Sequence, residues 1–123
     1  MELSNFPIFY VDDVAASVAF YRPLFERDPV ELQDNFALFV SESGTKFGLW
    51  AWSDVEPKAD KVTQTSMEIA FEVSNLITLQ IYYRKWTELG LEVIQDISLM
   101  DFGASFTALD PDGHRLRVFC YEK

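Results

Sequence analysis

A chain of 123 residues, 49% of them hydrophobic, has the length of one domain and buries a core without disulfides or metal staples. Twenty acids against ten bases give a net charge of −10, which argues against nucleic acid and anionic membrane surfaces as partners, because phosphate binding needs clustered Lys and Arg. The acidity either attracts a cationic ligand or only keeps the protein soluble, and eleven phenylalanines in a 15% aromatic fraction exceed the needs of a plain core, so some aromatics are expected to line a pocket.

In chain order, Phe6 to Val11 reads as a strand ending at Asp12-Asp13, either of which can cap a helix starting near Val14. Val18, Tyr21, Leu24 and Phe25 then recur at helical spacing, and Pro23 inside that pattern predicts a kink or a loosened last turn. Pro29 to Leu32 and Asn35 to Val40 read as two short strands joined at Gln33-Asp34, Ser41 to Gly44 as a turn, and Lys46 to Trp52 as a fourth strand. On that fourth strand Phe47, Leu49 and Ala51 alternate with Gly48, Trp50 and Trp52. Ser53 to Thr65 is polar, lacks periodicity and reads as a linker.

Beyond it, Ser66 to Val73 is a predicted strand, and Asn75 caps a predicted helix to about Leu89 that shows Leu76, Leu79, Tyr83 and Trp86 on one side and stops at Gly90. Leu91 to Ile97 and Gly103 to Leu109 follow as strands. Asp110-Pro111-Asp112-Gly113 has the chemistry of a turn, leading into a last strand from Arg115. There Leu116, Val118 and Cys120 make a core face, so the single cysteine reads as a small buried hydrophobe. Arg115, Arg117, Phe119 and Tyr121 make the other face, on which a buried Arg117 needs a partner. No stretch approaches the roughly 18 apolar residues of a membrane span, and no apolar run preceded by positive charge opens the chain, so a cytoplasmic location is expected.

The two halves share one order: strand, helix, three strands. Phe20-Tyr21-Arg22 matches Tyr82-Tyr83-Arg84, and Val11 to Val14 matches Val73 to Leu76, both at an offset of 62 residues. In the last strands the offset is 69, pairing Gly44 with Gly113, Trp50 with Phe119 and Trp52 with Tyr121. The fold class expected is α+β, one domain over 1–123 made of two βαβββ modules, about 1–53 and 65–123, joined by a linker over 53–65.

Two such modules, Tyr10-Val11-Asp12-Asp13 followed by Ser17 and Phe20-Tyr21-Arg22, and Asp110 to His114 before the last strand together resemble the vicinal oxygen chelate superfamily. That superfamily holds glyoxalase I, extradiol dioxygenases and the bleomycin and fosfomycin resistance proteins. Glu26 to Val30, Phe47-Gly48-Leu49-Trp50 and Asp101-Phe102-Gly103 bring the resemblance nearest to phenazine antibiotic resistance proteins, which bind the drug instead of destroying it. The resemblance implies curved sheets that form a ligand cup with the helices outside, and a homodimer in which the cup closes within one chain or across swapped modules.

It also locates the family's metal ligands, which fall here on Phe6, Glu68 and Arg117. Phenylalanine has no donor and an arginine cation repels a metal, so neither a metal nor another cofactor is expected. His114, the lone histidine, falls at a turn, where capping or solvation is the commoner role. By the family's sheet order Glu68 lies beside Arg117, either as a bidentate pair that leaves Arg117 to a ligand's carboxylate or carbonyl, with Arg115 at the rim, or as a surface ion pair of little worth.

Phe6, Ile8, Tyr10, Trp50, Trp52 and Phe119 would line the cup with Glu68 and Arg117, while Phe9, Phe47, Phe71, Phe106 and Trp86 are read as core. No catalytic constellation is read. The function expected is metal-free binding of a planar aromatic small molecule such as a phenazine-type antibiotic. The alternatives are a glyoxalase-like lyase or isomerase acting on a small carbonyl compound, with Glu68 as base, and binding of a cationic drug of the bleomycin type.

Overall fold

The computed structural model describes residues 6–61 and 67–122. Residues 62–66, which include the end of the expected linker and the first residue of the strand expected from Ser66, lie outside the described residues. The chain divides into two compact units, residues 1–61 and 62–123.

In the first unit the strand β1 (Ile8–Val11) leads to the helix α1 (Val14–Phe25), then to β2 (Glu31–Leu32), β3 (Phe36–Val40) and β4 (Lys46–Ala51). The helix starts where it does because Asp13 is extended and its carboxylate accepts the Ala16 amide at 3.1 Å. It stops at Glu26, whose left-handed φ of 53° turns its N–H onto the Arg22 carbonyl. Pro23 is accommodated inside the helix, which runs two residues past it to Phe25. Val14, Ser17, Val18, Tyr21 and Leu24 form the buried stripe. Against it the sheet, ordered β1-β4-β3-β2, presents Phe9, Val11, Ala37, Phe39, Phe47 and Leu49. Tyr21 stacks on Phe25 at 5.2 Å and meets Phe47 edge-on at 5.0 Å, and such ring pairs add about 0.5–1.5 kcal/mol each beyond the area buried.

The fourth strand is shorter than its apolar pattern suggests. It ends at Ala51, and Trp52–Asp54 form a 3₁₀ turn closed by the Val55 amide on the Trp52 carbonyl. The reason is the neighbour: Ala51 donates to the Asn35 carbonyl, and β3 begins only at Phe36, so Trp52 has no strand left to pair with. The stretch read as a featureless linker also puts Val55 in the core and pairs Lys61 with Asp12.

The second unit repeats the plan with β5 (Glu68–Glu72), α2 (Leu76–Glu88), β6 (Glu92–Met100), β7 (Gly103–Leu109) and β8 (Arg115–Cys120), in the sheet order β5-β8-β7-β6. Asn75 caps α2 through the Thr78 amide at 2.8 Å, and beyond the helix Gly90 takes a φ of 87°. Leu79 and Trp86 are buried while Leu76 and Tyr83 are half-buried. Trp86 and Tyr83 meet Phe106 edge-on at 5.4 and 5.2 Å, and Phe71 lies 6.2 Å from Trp86.

β6 starts one residue later than expected and runs three residues further, to Met100. Its pairing with β7 shifts register between Val93 and Gln95 and again between Gln95 and Ser98, which breaks the strict alternation by which strands are recognised. In both sheets the first and fourth strands pair in parallel and the remaining pairs are antiparallel. This is an α+β fold of two βαβββ modules.

Candidate functional site

Each sheet has one face on its helix and one face open, and strand alternation decides which side chains the open face receives. In the first unit Phe9 and Val11 are buried beneath the helix, whereas Ile8 is 39% exposed, Phe6 is 37% exposed and Tyr10 is half-buried. Phe6 precedes the strand but stays aligned with it, because the Gly48 amide donates to the Pro7 carbonyl.

Register then sets the neighbours. Tyr10 pairs with Trp50 and Ile8 with Gly48, and on the other side of β4 Phe36 pairs with Trp50 and Leu38 with Gly48. Tyr10 meets Trp50 at 6.3 Å and 81° and meets Trp52 at 5.0 Å and 73°. So Trp52, although off the strand, still shares Tyr10 with Trp50, and both indoles keep partly exposed faces. Gly48 matters because it is bare: a Cβ there would lie 3.3 Å from Ile8 and 3.4 Å from the Phe36 and Phe6 rings. Phe36 and Leu38 are additions to the expected face. Only the pairing of β3 with β4 puts them there, and their spacing within β3 does not.

In the second unit the open face is built around Arg117. Its Nε donates to Glu68 Oε2 at 2.6 Å and its Nη2 to Glu68 Oε1 at 3.2 Å, a bidentate pair. Glu68 is one step diagonal to Arg117, since the register partners are Glu68 with Arg115 and Ala70 with Arg117. Nη1 donates to Ser105 Oγ at 2.7 Å and to Gln95 Oε1 at 3.3 Å. The pair is thus no loose surface contact: the arginine side chain is 19% exposed, and its group draws one residue from each strand of the sheet.

Four of the five guanidinium N–H groups are spent in this way, and among the described residues the second Nη2–H has no acceptor. Ser105 and Thr107 were not singled out from the sequence, although polar residues at alternate positions of an otherwise apolar strand are a signal that could have found them. Gln95 was hidden by the register shifts beside it.

Two residues further along β8, Phe119 is half-buried on the same face and meets the exposed rings of Phe102 at 5.8 Å and Tyr121 at 5.4 Å, edge-on in both cases. Arg115 is exposed at the start of the strand.

Of the two roles expected for His114, solvation does not hold, and the residue secures its turn instead. It is buried, with Nδ1 2.8 Å from Asp110 Oδ2, while Asp110 Oδ1 accepts the amides of Asp112 and His114 at 3.0 and 2.8 Å. These bonds brace the turn before β8. Ligand atoms of Asp110, Asp112 and His114 lie within 4.8 Å of one another, but both Asp110 oxygens are already accepting bonds that hold the turn.

The positions that resemblance assigns to a metal do not fit one. Phe6 offers no donor atom, and Glu68 has both oxygens on the guanidinium of Arg117, itself a cation.

Residues 5–118 match the model of the Glyoxalase/Bleomycin resistance protein/Dioxygenase superfamily, and the chain belongs to that superfamily. It is 30% identical over 117 residues to the phenazine antibiotic resistance protein EhpR of Enterobacter agglomerans, spanning 93% of this chain and 88% of that one. It is also 28% identical over 118 residues to the metallothiol transferase FosB of Shouchella clausii, spanning 93% and 77%. A protein of Agrobacterium tumefaciens with a solution NMR structure is 43% identical, matches over 100% of both chains and superposes with a TM-score of 0.89. Among the described residues no helix is long and apolar enough to cross a membrane.

Proposed function

We propose that this protein binds and holds a planar aromatic small molecule, with a phenazine-type antibiotic as the candidate, and releases it chemically unchanged. The observation that carries the reading is the Tyr10, Trp50 and Trp52 group: three amphipathic rings side by side on an open sheet face, both indoles part-exposed. A flat ligand laid on such rings gains about 0.5–1.5 kcal/mol per ring beyond the area it buries. The similarity to a phenazine resistance protein over nearly the whole chain supports the choice of ligand class.

Holding rather than converting the ligand is supported by the state of Glu68. A general base needs a lone pair aimed at the substrate, and Arg117 occupies two of the roughly four acceptor sites of the Glu68 carboxylate, one on each oxygen, and holds its orientation. A homodimeric, cytoplasmic protein is part of the proposal, and light scattering of the purified chain tests the dimer.

The deciding experiment titrates the protein with unsubstituted phenazine, following tryptophan fluorescence, and recovers the compound for mass analysis. Quenching with unchanged compound is expected, and Trp50→Ala should weaken affinity by about tenfold, the equivalent of one lost stacking partner. Trp86→Phe, in the core against Phe106, should leave the affinity unaltered. Absence of binding, or recovery of a converted compound, overturns the reading.

A further inference from the structure

We infer that the open face of the second unit is itself a subsite for a planar aromatic molecule, with a ring at Phe119, and that its polar network selects a substituent that is a neutral hydrogen-bond acceptor, such as an amide or ketone oxygen, over a carboxylate. The inference rests on the proposed binding of a planar aromatic molecule and goes beyond it by assigning the charge of the group that accompanies the ring.

Arginine on a ligand-facing strand ordinarily marks an anion site, because a bare guanidinium offers a carboxylate two parallel N–H groups. Here that fork is already occupied. Nε and Nη2 hold both oxygens of Glu68, so the pair presents no net charge to anything that approaches. The remainder of the open face does not restore a positive charge. Its ionisable side chains on β5 and β8 are Glu68 and Glu72 against Arg115 and Arg117, which balance, and the whole chain carries −10. A ligand carboxylate placed on Arg117 would lie beside the Glu68 carboxylate and be repelled by it.

What remains on the network is a pair of donors of fixed direction. One is the second N–H of Arg117 Nη2. The other is the Gln95 amide nitrogen, whose orientation is forced: Oε1 accepts from Arg117 Nη1 at 3.3 Å and from Thr107 Oγ1 at 3.5 Å, and the reversed amide would turn its NH₂ against a guanidinium that can only donate. Ser105, fully buried, holds Nη1 from beneath at 2.7 Å. Phe119, two residues along β8 with Phe102 and Tyr121 against it, supplies a ring on the same face as these donors.

The test compares phenazine, phenazine-1-carboxamide and phenazine-1-carboxylate by calorimetric titration at neutral pH, against the wild-type protein and the Glu68→Gln variant, with thermal melting to confirm that the variant is folded. The wild type is expected to bind the carboxamide about tenfold more tightly than the carboxylate. Glu68→Gln uncovers the guanidinium charge and should bring the carboxylate level with the carboxamide or ahead of it.

Equal or tighter binding of the carboxylate by the wild type overturns the inference and leaves the proposed function standing. So does an unaltered preference in a folded Glu68→Gln variant. Failure of all three compounds to bind overturns the proposed function itself, and this inference with it. Because the wild-type comparison stands alone, a variant that fails to fold does not protect the inference.

Discussion

Replacing Arg117 with Met keeps the bulk of the side chain on β8 and removes all four of its hydrogen bonds. Ser105, fully buried, loses the donor to its oxygen, and a buried polar group left unsatisfied costs about 1–3 kcal/mol. The lost pair with Glu68 adds little more, about 1 kcal/mol or less, because the glutamate side chain is 34% exposed and water partly screens the attraction. The expected loss is therefore about 1–4 kcal/mol. Glu68→Gln alone should cost about 1 kcal/mol or less, and the double variant should cost less than the sum of the two, because the residues touch.

Urea denaturation measures these values. Trp86 belongs to the second unit and Trp50 and Trp52 to the first, so a Trp50→Phe, Trp52→Phe background makes the fluorescence report the unit in which Arg117 sits. A loss below about 0.5 kcal/mol for Arg117→Met, the level of an ordinary surface change, would refute the view that this network is built into the sheet.

Two further outcomes follow from other positions. Gly103→Ala should prevent stable folding of the second unit, because its Cβ would fall 2.0 Å from the Cys120 carbonyl oxygen and 2.8 Å from the Tyr121 Cα at a φ of 156°; a circular dichroism melt like that of the wild type would contradict this. Tyr83 donates to Asp96 at 2.6 Å, and that bond, with some burial and the carboxylate charge, raises its pKa above the ordinary value of 10.0. The folded state therefore holds this proton more tightly than the unfolded state does. Its contribution is fully present below pH 10.0 and declines as the pH rises through the folded-state value. Tyr83→Phe should flatten stability in that alkaline range, measured by chemical denaturation at a series of pH values, and an unchanged profile would remove the Asp96 bond as the cause.

How much of this was legible depends on the range of the interaction concerned. Asp13 and Asn75 identify both helix starts from sequence because a cap bonds an amide only three residues away. Strand ends are different, since a strand stops where its neighbour stops. Trp52 continues the alternation of β4 faithfully yet leaves the sheet for want of a partner beyond Asn35. The extra length of β6 was concealed by its register shifts. Glu68 was identified as the partner of Arg117 from the strand order of a resembled family, whereas Gln95 required the register itself. For His114 the turn sequence left capping and solvation open, and the burial of its ring against Asp110 comes from how the turn packs.

The repeat explains why the two open faces differ so much while the frame stays the same. At the offset of 62 residues, Phe6 and Ile8 correspond to Glu68 and Ala70; at the offset of 69, Gly48 corresponds to Arg117 and Trp50 to Phe119. The ladders agree, for Ile8 pairs with Gly48 as Ala70 pairs with Arg117. In the first unit the Phe6 ring comes within 3.4 Å of where a Gly48 side chain would begin; in the second, Glu68 reaches from the equivalent place to bond the side chain that is present. A bare glycine under apolar rings and an arginine under a carboxylate are thus two solutions at one lattice point of the module. The first leaves an apolar face around Trp50. The second requires an acceptor from each of the other three strands to keep a largely shielded cation satisfied, which is why Ser105 and Gln95 stand where they do.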